Sequence, residues 1–348
     1  MGASLTFAIP GDLAARTGGY EYDRRMCLGL RELGWAVTVR PLDASFPQPT
    51  DAALADAETQ LTATADGSCV VVDGLALGAM PALAAVHSKR LRLIALVHHP
   101  LALENGLPPG VADRLRTSER DALACARHVI VTSHQTARTL ETYDVTPDRV
   151  TVVEPGTEPA RLARGSGGDL IQLVCVASIS PRKGHAVLIE ALAGLRDAPW
   201  RLDCVGSLDR DPETVRGLRR LIDRHELTDR VTFVGEAAAE QIGDYYDRSD
   251  VFVLPTLYEG YGMVVAEALA RGLPVISTPT GAIADLVSPD AGILVAAGDV
   301  GGWREALRRV FDPAVRSVLA RGARARRSTL PTWEAAVARF ARVLTAHG

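Results

Sequence analysis

Acids at positions 259 and 267 flank the stretch of the chain with the most chemistry in it. The run 251–277, VFVLPTLYEGYGMVVAEALARGLPVIS, reads as a strand (251–254), a turn at Pro255-Thr256 and a glycine-spaced loop (258–262). A short helix then runs to Arg271, Gly272 stops it, and a second strand begins at Pro274. That helix is apolar nearly all round, through Met263, Val264, Val265, Ala266, Ala268, Leu269 and Ala270, so it is expected to be buried. Glu267 in its middle is then costly unless a partner or a ligand satisfies it. A lone acid of this kind can also reach solvent or meet an arginine. The coincidence of loop glycines, a helix start and a second acid, Glu259, favours a ligand site.

The same half of the chain offers cations. Arg182-Lys183-Gly184 follows an apolar strand and precedes a helix, which sets two positive side chains beside free helix amides. Gly260, Tyr261, Gly262 and Met263 open the apolar helix, whose amides and dipole also favour negative charge. Together these suit a diphosphate. Glu267 is placed to take a pair of ribose hydroxyls, as acids do in dinucleotide folds, and Glu259 to accept from the hydroxyls of a sugar. The plainer alternatives are a structural cap for Lys183 and a surface loop for Glu259. In the first half, His98-His99-Pro100 ends an apolar strand, where an imidazole could donate to or accept from a substrate near neutral pH. Gly18-Gly19 allows close approach of the backbone to a ligand, or simply makes a tight turn.

Alternating strands and helices must position these residues. Strand 5–9, a loop through Pro10-Gly11-Asp12 and Thr17-Gly18-Gly19, helix 20–33, Gly34 and strand 35–39 make the opening of a doubly wound α/β sheet, whose ligands bind beyond the carboxyl ends of the strands. Strands at 69–72, 91–97, 129–132 and 150–153 continue the pattern, with helices at 81–87 and 114–125 and a Gly/Pro-rich, mobile loop at 105–110. Residues 154–169 turn to Pro, Gly and Ser without an apolar period and read as a linker. The alternation restarts with strands 171–177, 201–205 and 231–234, the last ended by Gly235, and continues through 251–254, a strand from 274, and 292–295. An amphipathic helix, 332–346, built around Trp333, Val337, Phe340 and Val343, closes the chain. The expected architecture is α/β: a Rossmann-like domain at 1–158, a linker at 159–169, a second Rossmann-like domain at 170–328, and a terminal helical segment, 329–348, that can cross back to the first domain.

Composition sets bounds. A chain of 348 residues suggests two domains, and 47% hydrophobic with 23% charged residues argues against disorder. A formal charge of −4 gives no reason to expect nucleic acid as a partner. No apolar run approaches the ~18–20 residues that span a bilayer. The start lacks a charged region followed by an apolar one, and the loose myristoylation match of Gly2 with Thr6 is set aside because 5–9 reads as a core strand, so a cytoplasmic protein is expected. Cys27, Cys69, Cys125, Cys175 and Cys204 are odd in number and scattered, which suits reduced core residues rather than a disulfide frame or metal site. The arginine faces at 114, 116 and 120 and at 216, 219, 220 and 224 read as solvated surface. No Gly-x-Gly-x-x-Gly, Walker loop, Gly-x-Ser-x-Gly elbow or His-Glu-x-x-His competes, and the carboxylates show no metal-ligand clustering.

Beyond these readings, the chain resembles the retaining glycosyltransferases of family 4, which have the GT-B fold. The resemblance runs along nearly the whole sequence. It is carried by the Gly18-Gly19 loop, VHH at 97–99, VTS at 131–133, VVEPGTEP at 152–159, SPRKGH at 180–185, DRVTFVGE at 229–236 and, most specifically, the Glu-x7-Glu motif as EGYGMVVAE at 259–267. It implies two Rossmann-like domains with a cleft between them, the second binding a nucleotide-diphosphate sugar and the first supplying the acceptor site. By position it implies a catalytic group of Glu259, His98, Arg182 and Lys183, with Arg182 and Lys183 neutralising the diphosphate and His98 near the donor sugar. The implied donor-binding residues are Gly19, Gly235, Gly260, Tyr261, Gly262, Met263 and Glu267, the last on the ribose. No cofactor or metal is implied. The family commonly has an Arg where this chain has Ser178, so that Arg182 is left to carry the charge. Where the family often reads His-Asp, this chain has His98-His99, which leaves open the imidazole that faces the sugar. The acceptor, whether a glycan, a lipid or a small molecule, is also open, and a lipid would bring weak peripheral association with a membrane. Two other readings of the same architecture are a nucleotide-sugar epimerase and a silent nucleotide-sugar-binding subunit.

Overall fold

Short runs of Val, Ile and Leu without alternation form strands that are covered on both faces, the signature of parallel sheets. Val70, Val71 and Val72 are wholly buried, as are Val251, Phe252, Val253 and Leu254. The computed structural model describes residues 3–104, 107–108 and 110–348, so that residues 105, 106 and 109 of the loop expected at 105–110, and Gly2 of the N-terminal motif, lie outside the described residues.

The first sheet contains β1 (Ser4–Pro10), β2 (Ala36–Leu42), β3 (Cys69–Asp73), β4 (Arg92–Val97), β5 (His128–Val131) and β6 (Val150–Val152). Its order is β2-β1-β3-β4-β5-β6, and every pairing is parallel. The second contains β7 (Ile171–Val176), β8 (Trp200–Val205), β9 (Val231–Gly235), β10 (Val251–Leu254), β11 (Val275–Ser277) and β12 (Gly292–Leu294). It runs β12-β11-β10-β7-β8-β9, again all parallel. The winding reverses between β1 and β3 in one sheet and between β7 and β10 in the other. At such a reversal the loops leaving the carboxyl ends part to opposite faces and open a crevice, where ligands of doubly wound sheets bind.

The chain divides into two compact units, Met1–Gly156 with Pro331–Gly348, and Thr157–Leu330. The stretch 159–169, expected as a linker, is built into the second unit rather than left as a free connector. Ala163 N donates to Arg271 O at 2.9 Å, Arg164 N to Asp247 O at 2.8 Å, and Ser166 N to Asp250 Oδ1 at 3.1 Å, so its polar backbone is satisfied at the amino edge of β10. The terminal helix, Trp333–His347, belongs to the first unit. It lies on the first helix, Gly18–Glu32, where a Cβ at Gly29 would stand 2.5 Å from Val337 Cγ2. Phe340 packs with Phe7 at 6.4 Å between ring centroids, and the Arg25 guanidinium lies 5.4 Å over the Trp333 ring.

The helix Asp51–Thr62 has no counterpart among the sequence expectations. Its buried face is Ala53, Ala57 and Leu61, too little apolar surface to mark a period in the sequence. The five cysteines are free thiols, and all but the half-buried Cys125 are buried. Among the described residues no helix is long and apolar enough to cross a membrane.

Candidate functional site

In the second unit the loops leaving β7 and β10 meet at the switch point. After β7 the chain turns through a single 3-10 turn, Pro181–Lys183, and Gly184 enters the helix His185–Ala193 at φ +69°. A Cβ at Gly184 would sit 2.0 Å from Pro255 O, so only glycine lets the two loops touch. Leu257 N donates to Arg182 O at 2.7 Å and the Arg182 guanidinium to Tyr258 O at 2.7 Å, which laces the loops together. From the other side, Gly281 lets a third loop close over Glu259, because a Cβ there would overlap Glu259 O at 1.6 Å.

This lacing brings two cations to one acid. Lys183 Nζ donates to Glu259 Oε1, the Arg182 Nη1 atom is 3.5 Å from the same oxygen, and Thr256 Oγ1 is 3.2 Å from it. Burial pushes the Glu259 carboxyl up, but the charges of Lys183 and Arg182 and the hydrogen bonds from Lys183 and Thr256 outweigh it and hold the group below the usual carboxylate range. All of these contacts use Oε1. Among the described residues Oε2 makes no hydrogen bond, which leaves an acceptor atom on a fixed carboxylate.

The helix Met263–Ala270 starts beside this pair. Gly262 is its N-cap in left-handed backbone and brings no side-chain cap; Val265 N turns back to Gly262 O at 2.9 Å, which leaves the Met263 and Val264 amides, among the described residues, for an external acceptor. The expectation of a buried Glu267 needs correction. Val265, Ala266, Ala268, Leu269 and Ala270 are buried, whereas Met263, Val264 and Glu267 form a half-buried stripe on one face. The Glu267 carboxylate is held there by the Tyr246 hydroxyl, which donates to Oε2 at 3.0 Å. Glu259, not Glu267, is the more buried acid, since the loops of three strands close around it. Tyr261 is buried and Gly260 half-buried in the same turn, while Gly235 lies at the end of β9, two strands from β7. Beneath the loop, Cys175 Sγ is 3.6 Å from His185 Nε2. Burial pushes this thiol up to about 12 and this imidazole down to about 4, so the pair is neutral packing rather than an activated nucleophile.

In the first unit the equivalent crevice lies between the ends of β1 and β3, with β4 beside them. Thr17 Oγ1 accepts from Tyr20 N at 3.2 Å, so Gly18 and Gly19 are the first turn of the helix rather than the loop expected before it. Arg24 fixes that loop by donating to Leu13 O and, at 3.0 Å, to Ala15 O. Gly19 faces the His98 ring, with an added Cβ only 3.5 Å from Cδ2. His98 Nε2 is 3.1 Å from Asp23 Oδ1 and 3.4 Å from Asp73 Oδ2; the acids are 0% and 3% exposed against 19% for the imidazole. The Tyr22 ring meets His98 edge-on at 5.4 Å. Burial disfavours the charged ring, but the charges and hydrogen bonds of Asp23 and Asp73 prevail and raise His98 to about 10. His99 instead pairs with Glu104, Nε2 to Oε2 at 3.3 Å, on the more exposed side.

The structure therefore collects Arg182, Lys183, Glu259, Gly260, Tyr261, Gly262, Met263 and Glu267 at one sheet edge, and Gly19 and His98 at the other. Sequence reasoning missed Thr256, Tyr246, Asp23 and Asp73. A signal for the two aspartates was present. Asp23 sits on the apolar stripe of its helix with Met26, Cys27 and Leu30, and Asp73 ends the apolar strand CVVVD.

Comparison with known proteins agrees with this fold. A family profile described as Glycosyl transferases group 1 matches residues 171–312, and one described as Glycosyltransferase Family 4 matches residues 66–161. A D-inositol 3-phosphate glycosyltransferase of Saccharomonospora viridis is 31% identical over 242 residues, covering 64% of this chain and 56% of that protein. The chain thus aligns with a little over half the length of that relative. Sucrose-phosphate synthase from Thermosynechococcus elongatus superposes with a TM-score of 0.82 at 22% identity over 98% of both chains. The Anabaena protein Alr3699/HepE, in a complex with UDP-glucose, superposes with a TM-score of 0.78 at 18% identity over 99% of both. Fold and crevices define the class as two Rossmann-like units of the GT-B type. Within that class, the chain belongs to the group 1 glycosyltransferases of family 4.

Proposed function

We propose that this chain moves a sugar from a nucleotide-diphosphate sugar to an acceptor hydroxyl with retention of anomeric configuration. The observation that carries the reading is the convergence of Arg182 and Lys183 on Glu259 Oε1 at the switch point of the second sheet, beside the uncapped start of the helix Met263–Ala270. Two cations against one acid leave positive charge where a diphosphate would lie, and free amides add to it.

The chemistry follows from that charge. As the bond from the sugar C1 to the phosphate oxygen breaks, its electron pair goes to the diphosphate, and preorganised cations and amides stabilise the growing charge. The acceptor oxygen attacks C1 from the face the phosphate leaves, and its proton passes to the departing phosphate oxygen. Glu259 keeps the Lys183 ammonium in place with Oε1 and presents Oε2 to a sugar hydroxyl. Glu267, steadied by Tyr246, takes ribose hydroxyls. Side chains rather than a metal neutralise the leaving group, so a chelator leaves turnover unchanged. The structure of HepE with UDP-glucose makes uridine nucleotides the first to try.

A thermal-shift panel of UDP, GDP, ADP and their sugars tests the reading, because a ligand that binds only the folded state raises the melting temperature by mass action. One nucleotide series should stabilise the protein, and its sugar should be turned over with release of nucleoside diphosphate. Product of inverted configuration would refute retention. Isomerisation of the donor without acceptor would favour an epimerase.

A further inference from the structure

The first unit contains charged machinery that the proposed transfer chemistry does not use: two buried aspartates on one imidazole nitrogen. We propose that Asp23 and Asp73 are positioning residues that hold His98 as an imidazolium by sharing its Nε2 proton, so that Nδ1–H is presented as a hydrogen-bond donor to a hydroxyl oxygen of the bound ligand. The inference rests on the reading of this crevice as part of a sugar-transfer site, and it adds the two acids and the protonation state.

The geometry supports it on several counts. Both acids reach the same nitrogen, at 3.1 and 3.4 Å, from separate elements: the first helix and the end of β3. Asp23 Oδ2 is buried without a hydrogen-bond partner, so the acid is kept inside for what its other oxygen does. Asp73 divides its work, with Oδ1 accepting from Leu75 N at 2.8 Å and Oδ2 facing His98. Among the described residues His98 Nδ1 makes no hydrogen bond, and the ring is the partly exposed member of the trio. A ring held at one nitrogen, with Thr132 Oγ1 donating to its carbonyl oxygen at 3.2 Å, has its other nitrogen aimed. The charge points to the ligand class. Two acids against one cation leave the trio net negative, which suits a neutral polyol and disfavours a phosphate.

The titratable and charged groups around the ring are Asp23, with Tyr22, Arg24 and Cys27 on its helix, and Asp73 from β3; on its own loop His99 pairs with Glu104. Burial and the Asp73 charge raise Asp23, while His98 and Arg24 lower it, to a net value of about 6, so near neutral pH the ion pair is formed.

The test is a pH titration of His98 by NMR in the ligand-free full chain, followed by the pH profile of turnover with the nucleotide sugar that the panel selects. Wild-type His98 should stay charged to about pH 9, and in Asp23→Asn its midpoint should fall by about two pH units or more. Asp73→Asn is the second variant, since asparagine keeps the cap on Leu75 and its folding is secure. Turnover of either variant at pH 8.5 should drop at least about fourfold relative to pH 6, with no such drop in wild type. A wild-type ring that titrates near its ordinary value overturns the inference. So does a variant whose titration moves while its pH profile does not, or broadening of the His98 signals by micromolar manganese, which would make the trio a metal site. A wild type that turns over no nucleotide sugar defeats the transfer reading instead, and the titration still decides the protonation state.

Discussion

The two crevices are built as opposites. In the first unit a cation, His98, is held by two acids; in the second an acid, Glu259, is held by two cations. Each central group is clamped through one atom, Nε2 or Oε1, and each keeps a second atom, Nδ1 or Oε2, without a hydrogen bond among the described residues. Both lie where the strand order reverses. The same topology thus carries opposite charge: a net negative cluster in the first unit and a net positive one in the second.

Breaking the second cluster should cost most. Lys183→Ala leaves Glu259 buried with a weaker partner, which lowers stability by about 3–5 kcal/mol in urea unfolding. It should also reduce turnover by about 10²–10³. The double variant Lys183→Met/Glu259→Gln removes both charges, so stability should recover most of the loss while turnover stays down. If turnover recovered as well, the pair would be structural only.

The first cluster should show itself in pH dependence. The His98 pKa is raised from 6.5 to about 10, so its contribution to stability is fully present below pH 6.5 and is lost as pH rises through the folded value. Urea midpoints of the wild type should therefore fall between about pH 8 and 10, and His98→Gln should lack that fall. A variant with the wild-type slope would place the titration elsewhere. At the edge of the second site, Tyr246→Phe removes a donor to Glu267 Oε2 at a cost of about 1 kcal/mol. It should weaken nucleotide binding while leaving the pH profile unchanged.

The variant expected to lie nearest wild type removes a buried acid outside both clusters. Glu119 accepts from Leu101 N at 2.9 Å on the segment that follows His98, and burial pushes its carboxyl up to about 8. Wild-type stability should fall as pH rises from 4.5 to about 8, since the unfolded chain ionises first. Glu119→Gln should be within about 1 kcal/mol of wild type at pH 6 and should lack the fall.

The strands were legible because parallel strands covered on both faces are continuous apolar runs. Glu259, Glu267, Arg182, Lys183 and His98 were legible because each stands at the end of such a run or on the helix that follows. What escaped lay in side-chain pairing across the fold. Nothing local says that Lys183 will meet Glu259 Oε1, 76 positions away, or that Asp23 and Asp73 will share His98. The ranking of the two glutamates also inverted, because helix periodicity marks a face as apolar but not which loops close over a turn. Asp51–Thr62 escaped because alanines carry little hydrophobic signal.

On the proposed chemistry, the Arg182–Lys183 pair binds a diphosphate. Isothermal titration of the selected nucleoside diphosphate into wild type and into Arg182→Ala/Lys183→Ala tests it most directly. The double variant should lose at least about 100-fold in affinity, or roughly 3 kcal/mol, while unfolding cooperatively. Binding by a folded double variant within about twofold of wild type would contradict it.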